Sequence, residues 1–431
     1  MVFKTVLAFG NKLSNNKSDK QFSLTSSIAR LLFLAFATVL IMAGTGERFS
    51  IASVPLGKAL FSAFALSTFV FYISKGAPNW EVNFLSLTLF AIFFLFWGLC
   101  VPWTTHGNIT YAIQDSTPLI AVLVFFMSNK LMVSNENWRK GSNYIVYVAW
   151  AFALIHISLF LLWLLLPSAA SMLLDLLKTL MEVANYEREK VVLIDFENEG
   201  ILRAYFASSS LLFIGILALR DLRSRTRLSY LIVITIGAAF LSTLTRSFML
   251  GYLGSLAVFF ALRRMFSSGK PSFFAVYLLI IFPIALSPLF LMSLDPQLLE
   301  LLGLSRADSD SVRWSQLDEM LAAIQESPVV GHGFGASLPT VRDEEAPFAY
   351  ELMTLALVMK LGLFGVAIAV GLVSFMIYQI SPYRWPDNAR STYASYFGYM
   401  IACIFNPYLF GFFGTFFVLV LLYEYSSGVQ K

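Results

Sequence analysis

The sequence predicts an all-α polytopic membrane protein of about twelve transmembrane helices, and three observations carry that prediction. Of its 431 residues 58% are hydrophobic and only 13% charged, where a soluble domain holds roughly 45–50% and 25%. The apolar residues gather into runs about as long as the 20 residues that cross a bilayer as a helix. Lysine and arginine concentrate in alternate loops between those runs, which is the asymmetry that fixes topology.

The elements follow in order. Residues 1–27 are polar and basic, with Lys4, Lys12, Lys17 and Lys20, and form a cytoplasmic segment. The first apolar run, 28–44, ends in AGTGE rather than a small-residue cleavage site and is read as a retained span. Further spans fall at 55–74, 82–101, 111–128, 143–166, 201–219, 228–245, 248–262 and 272–291, which completes nine within 28–291. A large outer loop, 292–347, separates helices 9 and 10. The last three spans, 348–378, 392–409 and 410–426, lie with the C-terminus in 348–431. Backbone groups in such runs must bond within their own segment, which is why helices are expected.

Charge then sets orientation. Lys130, Arg139 and Lys140 share one loop; Arg220, Arg223, Arg225 and Arg227 share another. Arg263, Arg264 and Lys270 mark a third, and Arg384 with Arg390 a fourth. With twelve spans all four fall on the side of the basic N-terminus, making both termini cytoplasmic. The opposite loops, 167–200 and 292–347, are acid-rich. A formal net charge of +4 is too small for a nucleic-acid partner. Cys100 and Cys403 stand far apart in apolar sequence and form neither a metal motif nor a disulfide framework. His106 and His156 show no ligand spacing and are read as structural.

Basic residues on the outer side run against this bias. Arg48 has Glu47 beside it and reads as a solvated loop charge. Arg203 stands at the outer entrance of span 201–219, Arg246 at the tip of the tight hairpin 228–262, and Arg313 in the large loop. Arginine at bilayer depth costs about 2.5–3.5 kcal/mol on insertion scales and calls for a partner. Either nearby carboxylates such as Glu199, Asp308, Asp310 or Glu344 supply it, or the three together bind a multiply charged anion. Guanidinium suits phosphate because its fork matches the oxygens and it stays charged when desolvated.

The outer loop carries the remaining polar chemistry. Leu317, Met320, Leu321 and Ile324 recur at helical spacing within 312–327, predicting an amphipathic helix on the bundle or in the lipid interface, capped by Asp310 or Ser311. The GHGFG segment 331–335 lacks the Gly-Lys-Ser/Thr ending of a P-loop, so its glycines are read as allowing tight bends and close approach. His332 is either a titrating group or an orienting one, and is a candidate substrate contact. Asp308 and Asp310 are too short a pattern for a metal. Glu351, placed about one turn into span 348–378, is a candidate general base whose pKa partial burial would raise; a helix-start carboxylate also suits the helix dipole.

These elements resemble the O-antigen ligase and polymerase superfamily of bacterial membrane glycosyltransferases. The matching pieces are GILRAYF with Arg203, STLTRSFMLGYLG with Arg246, and RWSQLDEMLAAIQESPVVGHGFG leading into YELMTLALVMKLGLFG, over roughly 200–375. The resemblance implies a glycosyltransferase-C-like fold in the bacterial inner membrane. It also implies transfer of glycan from undecaprenyl pyrophosphate to an acceptor sugar hydroxyl on the outer face, with no metal or cofactor. Arg203, Arg246 and Arg313 would bind the pyrophosphate, and a flippase and a chain-length regulator would be partners. Where members commonly carry a histidine followed by Asn, this chain has Glu351, which favours a repeat-unit polymerase over a ligase acting on lipid A core. A lipid-linked glycan transporter is the reading from another class. It predicts broken helices or paired repeats, and no symmetry between halves is seen.

Overall fold

A computed structural model describes residues 27–42, 50–51, 54–75, 80–105, 107–116, 124, 128, 132, 136–166, 193–195, 203–205, 207–224, 227–243, 245–265, 307–341, 347–350, 352–380, 388–404 and 412–429. These residues are mainly helical. Two short antiparallel pairs, β1 (Ser50–Ile51) with β2 (Val54–Pro55) and β3 (Leu193–Asp195) with β4 (Arg203–Tyr205), are the described strands. The span expected at 272–291 lies outside the described residues.

The helices are α1 (Ser27–Met42), α2 (Leu56–Lys75), α3 (Trp80–Leu95), α4 (Val101–Thr104), α5 (Ile109–Asp115) and α6 (Glu136–Leu165). A 3-10 helix (Ala207–Ser224) follows, then α7 (Arg227–Ser242), α8 (Arg246–Met265), α9 (Ala307–Glu326), α10 (Met353–Ile380), α11 (Ala389–Ile404) and α12 (Phe412–Val429). Trp138–Leu165 and Met353–Leu372 are long and apolar enough to cross a membrane. Leu66, Phe69, Leu161, Leu164, Ile234 and Leu253 are exposed and point outward from the helices.

Four expectations change. The run 111–128 does not form one helix from its start: α5 ends at Asp115, with Ser116 as its C-cap. Val124, Ser128 and Met132, helical and buried, come after. The run 201–219 begins its helix only at Ala207, and the element is 3-10 rather than α. The run 348–378 opens its helix at Met353 and breaks at Gly362, where φ is 62°. The loop helix begins at Ala307, so Asp310 and Ser311 lie inside its first turns instead of capping it.

The 3-10 helix is the centre of the bundle, packed by α6, α7, α8, α11 and α12. Its residues from Ser208 to Leu219 are buried on every face. Small residues let its neighbours close in. A Cβ on Gly254 of α8 would stand 2.8 Å from Ile401 Cδ1 of α11, and one on Gly398 of α11 only 2.5 Å from the Gly251 carbonyl oxygen. Gly251 and Ser255 are four apart, the small-xxx-small spacing by which membrane helices approach backbone to backbone.

At one end of the bundle a buried polar cluster joins four elements. Arg220 Nη1 lies 2.6 Å from Glu424 Oε1. Glu424 Oε2 accepts from Ser142 Oγ at 2.6 Å and from Trp138 Nε1 at 3.3 Å, while Asn388 Nδ2 donates to Glu424 Oε1 at 3.1 Å. The charge bias in the loops assigns these ends of α6, the 3-10 helix, α11 and α12 to one side, and here they meet in space. The turn between α7 and α8 sits at the other end of those two helices and bonds to itself. Thr243 Oγ1 donates to the Phe240 carbonyl at 2.7 Å, and Phe248 N–H to the Thr245 carbonyl at 3.1 Å.

Gly254→Val should overpack the α8–α11 contact at a cost of about 1–3 kcal/mol, seen as a lower melting temperature of the detergent-purified protein. Gly371→Val, at a glycine with open space around it, should leave the melting temperature within a degree or two of wild type.

Candidate functional site

The loop between α9 and α10 is built around the break in α10. Ending a helix inside apolar sequence strands the carbonyls of its last turn and the amides of the next first turn. Here both sets find partners in the loop. The Met359 and Lys360 carbonyls accept from the His332 and Gly333 amides at 3.0 and 2.8 Å. The Leu361 carbonyl accepts from Trp97 Nε1 at 3.0 Å. Beyond the break, the Leu363 and Phe364 amides donate to the Pro328 and Val329 carbonyls at 2.9 and 3.0 Å. Residues 328–333 therefore cap both halves of the broken helix.

Glycine makes that approach geometrically feasible. Gly331, Gly333, Gly335 and Gly362 all have positive φ, a region costly for residues with a Cβ. A Cβ on Gly331 would stand 2.5 Å from the Gly362 amide nitrogen, and one on Gly333 2.6 Å from Pro102 Cδ. The sequence reading of close approach at GHGFG thus has a specific partner, the backbone of α10 and the turn at Pro102.

Trp97 reaches the loop from a π-turn, Phe96–Cys100, inserted between α3 and α4. Pro102 cannot donate the amide that would close on Gly98, so the helix is locally free to widen. The buried indole then bridges the break, its Nε1–H shared between the Val330 and Leu361 carbonyls at 2.9 and 3.0 Å. The Trp97 carbonyl in turn accepts from the Phe334 amide at 2.9 Å.

His332 is placed by this scaffold. Its Nε2 lies 2.8 Å from the Ala323 carbonyl in the last turns of α9. A carbonyl only accepts, so Nε2 carries the hydrogen. The ring is half-buried, and its Nδ1 is the nitrogen left for any further contact. The loop helix α9 seats Met320, with Leu317 and Ile324, against Met359, Ala356 and Tyr350. This is the bundle-packed alternative of the two expected for it, and Trp314 and Leu321 stay exposed on its outer surface. Arg313, on α9, is half-buried.

A charge pair that sequence reading did not single out lies beneath the loop. Lys360 Nζ and Asp115 Oδ2 are 2.7 Å apart, with side chains 1% and 0% exposed. Asp115 Oδ2 also accepts from the Gly335 amide at 2.8 Å, and Lys360 Nζ donates to the Phe348 carbonyl at 2.8 Å. Tyr350 OH accepts from the Leu338 amide at 2.6 Å and bonds the Ala336 carbonyl at 3.1 Å. Burial pushes the Tyr350 phenol above its ordinary value, so it acts as a neutral donor and acceptor. His156, read as structural, pairs with Ser209 Oγ at 3.2 Å inside the bundle, a contact that no spacing in the sequence announces.

The other predicted site residues are placed in part. Arg203 lies in β4, opposite Asp195, ahead of the 3-10 helix rather than within it. Arg246 is the first residue of α8. The side chains of both lie outside the described residues, and so does Glu351. The helix α10 opens at Met353, two positions after Glu351 in the sequence. No protein-family model matches the chain, and no curated protein matches it.

Trp97→Phe keeps the ring but removes the donor shared by two buried carbonyls, at a cost of about 1–3 kcal/mol. Gly362→Ala, which adds a Cβ against the Val329 carbonyl at positive φ, should cost more. Thermal unfolding in detergent should rank the variants wild type, Trp97→Phe, Gly362→Ala in falling stability.

Proposed function

We propose that this protein is a multi-pass polymerase of lipid-linked polysaccharide repeat units in a bacterial inner membrane. It would have about twelve spans, cytoplasmic termini and a large periplasmic loop. The observation that carries the reading is the outer loop holding Arg313 and His332, docked by backbone hydrogen bonds onto the broken helix that opens just after Glu351. The O-antigen, capsule or exopolysaccharide product is a matter of which repeat unit the site accepts.

On an outward face there is no ATP, so bond formation needs a donor already activated on lipid. The acceptor sugar hydroxyl attacks the anomeric carbon of the donor glycan. The new glycosidic C–O bond forms as the bond to undecaprenyl pyrophosphate breaks, and the pyrophosphate leaves with the electron pair. Glu351 takes the hydroxyl proton. Arg203, Arg246 and Arg313 neutralise the charge that grows on the leaving group; His332 offers a substrate contact through Nδ1. The chain itself supplies the acid–base and electrostatic groups, without metal or cofactor. A flippase delivering the lipid-linked unit and a chain-length regulator fit as partners.

A transporter of lipid-linked glycan is the competing class, and α10 is indeed discontinuous. Transporters of that design leave half-helix ends open toward substrate, whereas the ends at Gly362 are closed by Trp97 and residues 328–333. That favours the enzyme. A ligase delivering finished glycan to lipid A core uses the same donor and differs in its acceptor.

Purified protein incubated with undecaprenyl-pyrophosphate-linked repeat units should give a ladder on a gel without any core acceptor. A single shifted band that requires lipid A core identifies a ligase instead, and no product in either tube sinks the enzyme reading. Glu351→Ala should lower chain extension at least 100-fold while the protein still purifies as a monodisperse membrane protein; full-length polymer from it removes Glu351 as the base. Arg246→Gln should weaken donor binding about tenfold, and unchanged affinity removes it from the pyrophosphate site.

A further inference from the structure

The Asp115–Lys360 pair invites a question about purpose. A buried pair is poor value as a stabilising device, because desolvation offsets most of its attraction and apolar residues of equal volume serve as well. This one is costlier than most, since Asp115 Oδ1 is buried with no hydrogen-bond partner among the described residues. What the pair does provide is position. One carboxylate oxygen holds the Gly335 amide and the lysine together. The lysine holds the Phe348 carbonyl and lies 5.8 and 5.6 Å from the Phe348 and Tyr350 ring centroids.

The two limbs of the loop that leave and return at this point are thereby closed on a single buried charge pair. The outgoing limb starts at Gly335 and the returning one ends at Phe348. Tyr350 OH adds a second tie, to Ala336 and Leu338 on the outgoing limb. Farther out, Thr340 is held to α9 by Glu319 Oε1 at 2.6 Å and Oε2 at 3.0 Å. The next residue after Tyr350 in the sequence is Glu351.

We propose that Asp115 and Lys360 are positioning residues for the outer-loop site, clamping residues 335–341 and 347–350 so that the chain enters the catalytic region in one register. The inference rests on the polymerase reading of that loop. Neither residue touches substrate: both are too deeply buried. Their effect is on the geometry of proton removal from the acceptor, so it falls on the chemical step and not on donor binding, which the arginines provide.

The test uses Asp115→Leu/Lys360→Met, which removes both charges together and leaves no lone buried ion, alongside the single Lys360→Met, which strands Asp115. The single variant should lose stability and the double should recover most of it. Hydrogen exchange of peptides within 331–341 should quicken at least tenfold in the folded double variant. Its kcat for repeat-unit extension should fall at least tenfold with the donor KM within about twofold of wild type. A double variant with wild-type kcat overturns the positioning role, and exchange in 331–341 that stays at the wild-type rate overturns the clamp. A wild-type chain that extends no repeat unit removes the polymerase reading itself, an outcome separate from the exchange result.

Discussion

The loop end of the bundle depends on the capping of a helix that stops in the middle of apolar sequence. At Gly362 the chain gives up its own i to i−4 bonds, and in a low-dielectric setting each orphaned group would cost several kcal/mol. The loop repays this with its own backbone, four amide–carbonyl bonds across residues 328–333, 359–360 and 363–364, plus one indole donor. Because both partners are main chain, the fit depends on the absence of side chains at Gly331, Gly333 and Gly362 more than on the presence of any. Loop and helix are therefore one unit, and α9 rides on it.

The two ends of the molecule solve the same problem with different groups. At the basic end, Glu424 gathers Arg220, Ser142, Trp138 and Asn388, binding four helices through a carboxylate whose oxygens are both engaged. At the loop end, Asp115 uses one oxygen only. The first arrangement reads as a structural bolt. The second trades satisfaction for the placement of a loop. Between them the middle is apolar and held by small residues, with Gly251, Gly254 and Gly398 letting α8 and α11 touch.

Helix positions were legible in the sequence because each apolar run is long enough for a helix and is bounded by polar or charged residues. The described helices α1, α2, α6, α7, α8, α11 and α12 begin and end within several residues of the apolar runs. The amphipathic loop helix was legible from Met320 and its neighbours at helical spacing. The break at Gly362 was not, since LGLFG reads as continuous apolar helix and only the loop that caps it shows why it stops. Asp115 and Lys360 lie far apart along the chain, each inside what looks like a span, so nothing local pairs them. GHGFG was readable as close-approach glycines; what they approach required the fold. The 3-10 winding of residues 207–224 has no marker in composition at all.

That winding has a consequence for how the central element tolerates change. At three residues per turn, side chains stack in straight columns rather than drifting around the axis. The columns run Ser208, Leu211, Ile214, Leu217; Ser209, Leu212, Gly215, Ala218; and Ser210, Phe213, Ile216, Leu219, and every one of these residues is buried. The element is a triangular prism with a serine at the head of each edge. One edge is slim at Gly215, where a Cβ would meet Ile236 Cδ1 at 2.7 Å. The Phe213 edge is thick, and its ring stands 4.5 Å from that of Phe240. Losing one residue would rotate the prism by a full edge, about 120°, and set each edge against its neighbour's partners. Losing three would return every edge to its own neighbour, a turn shorter.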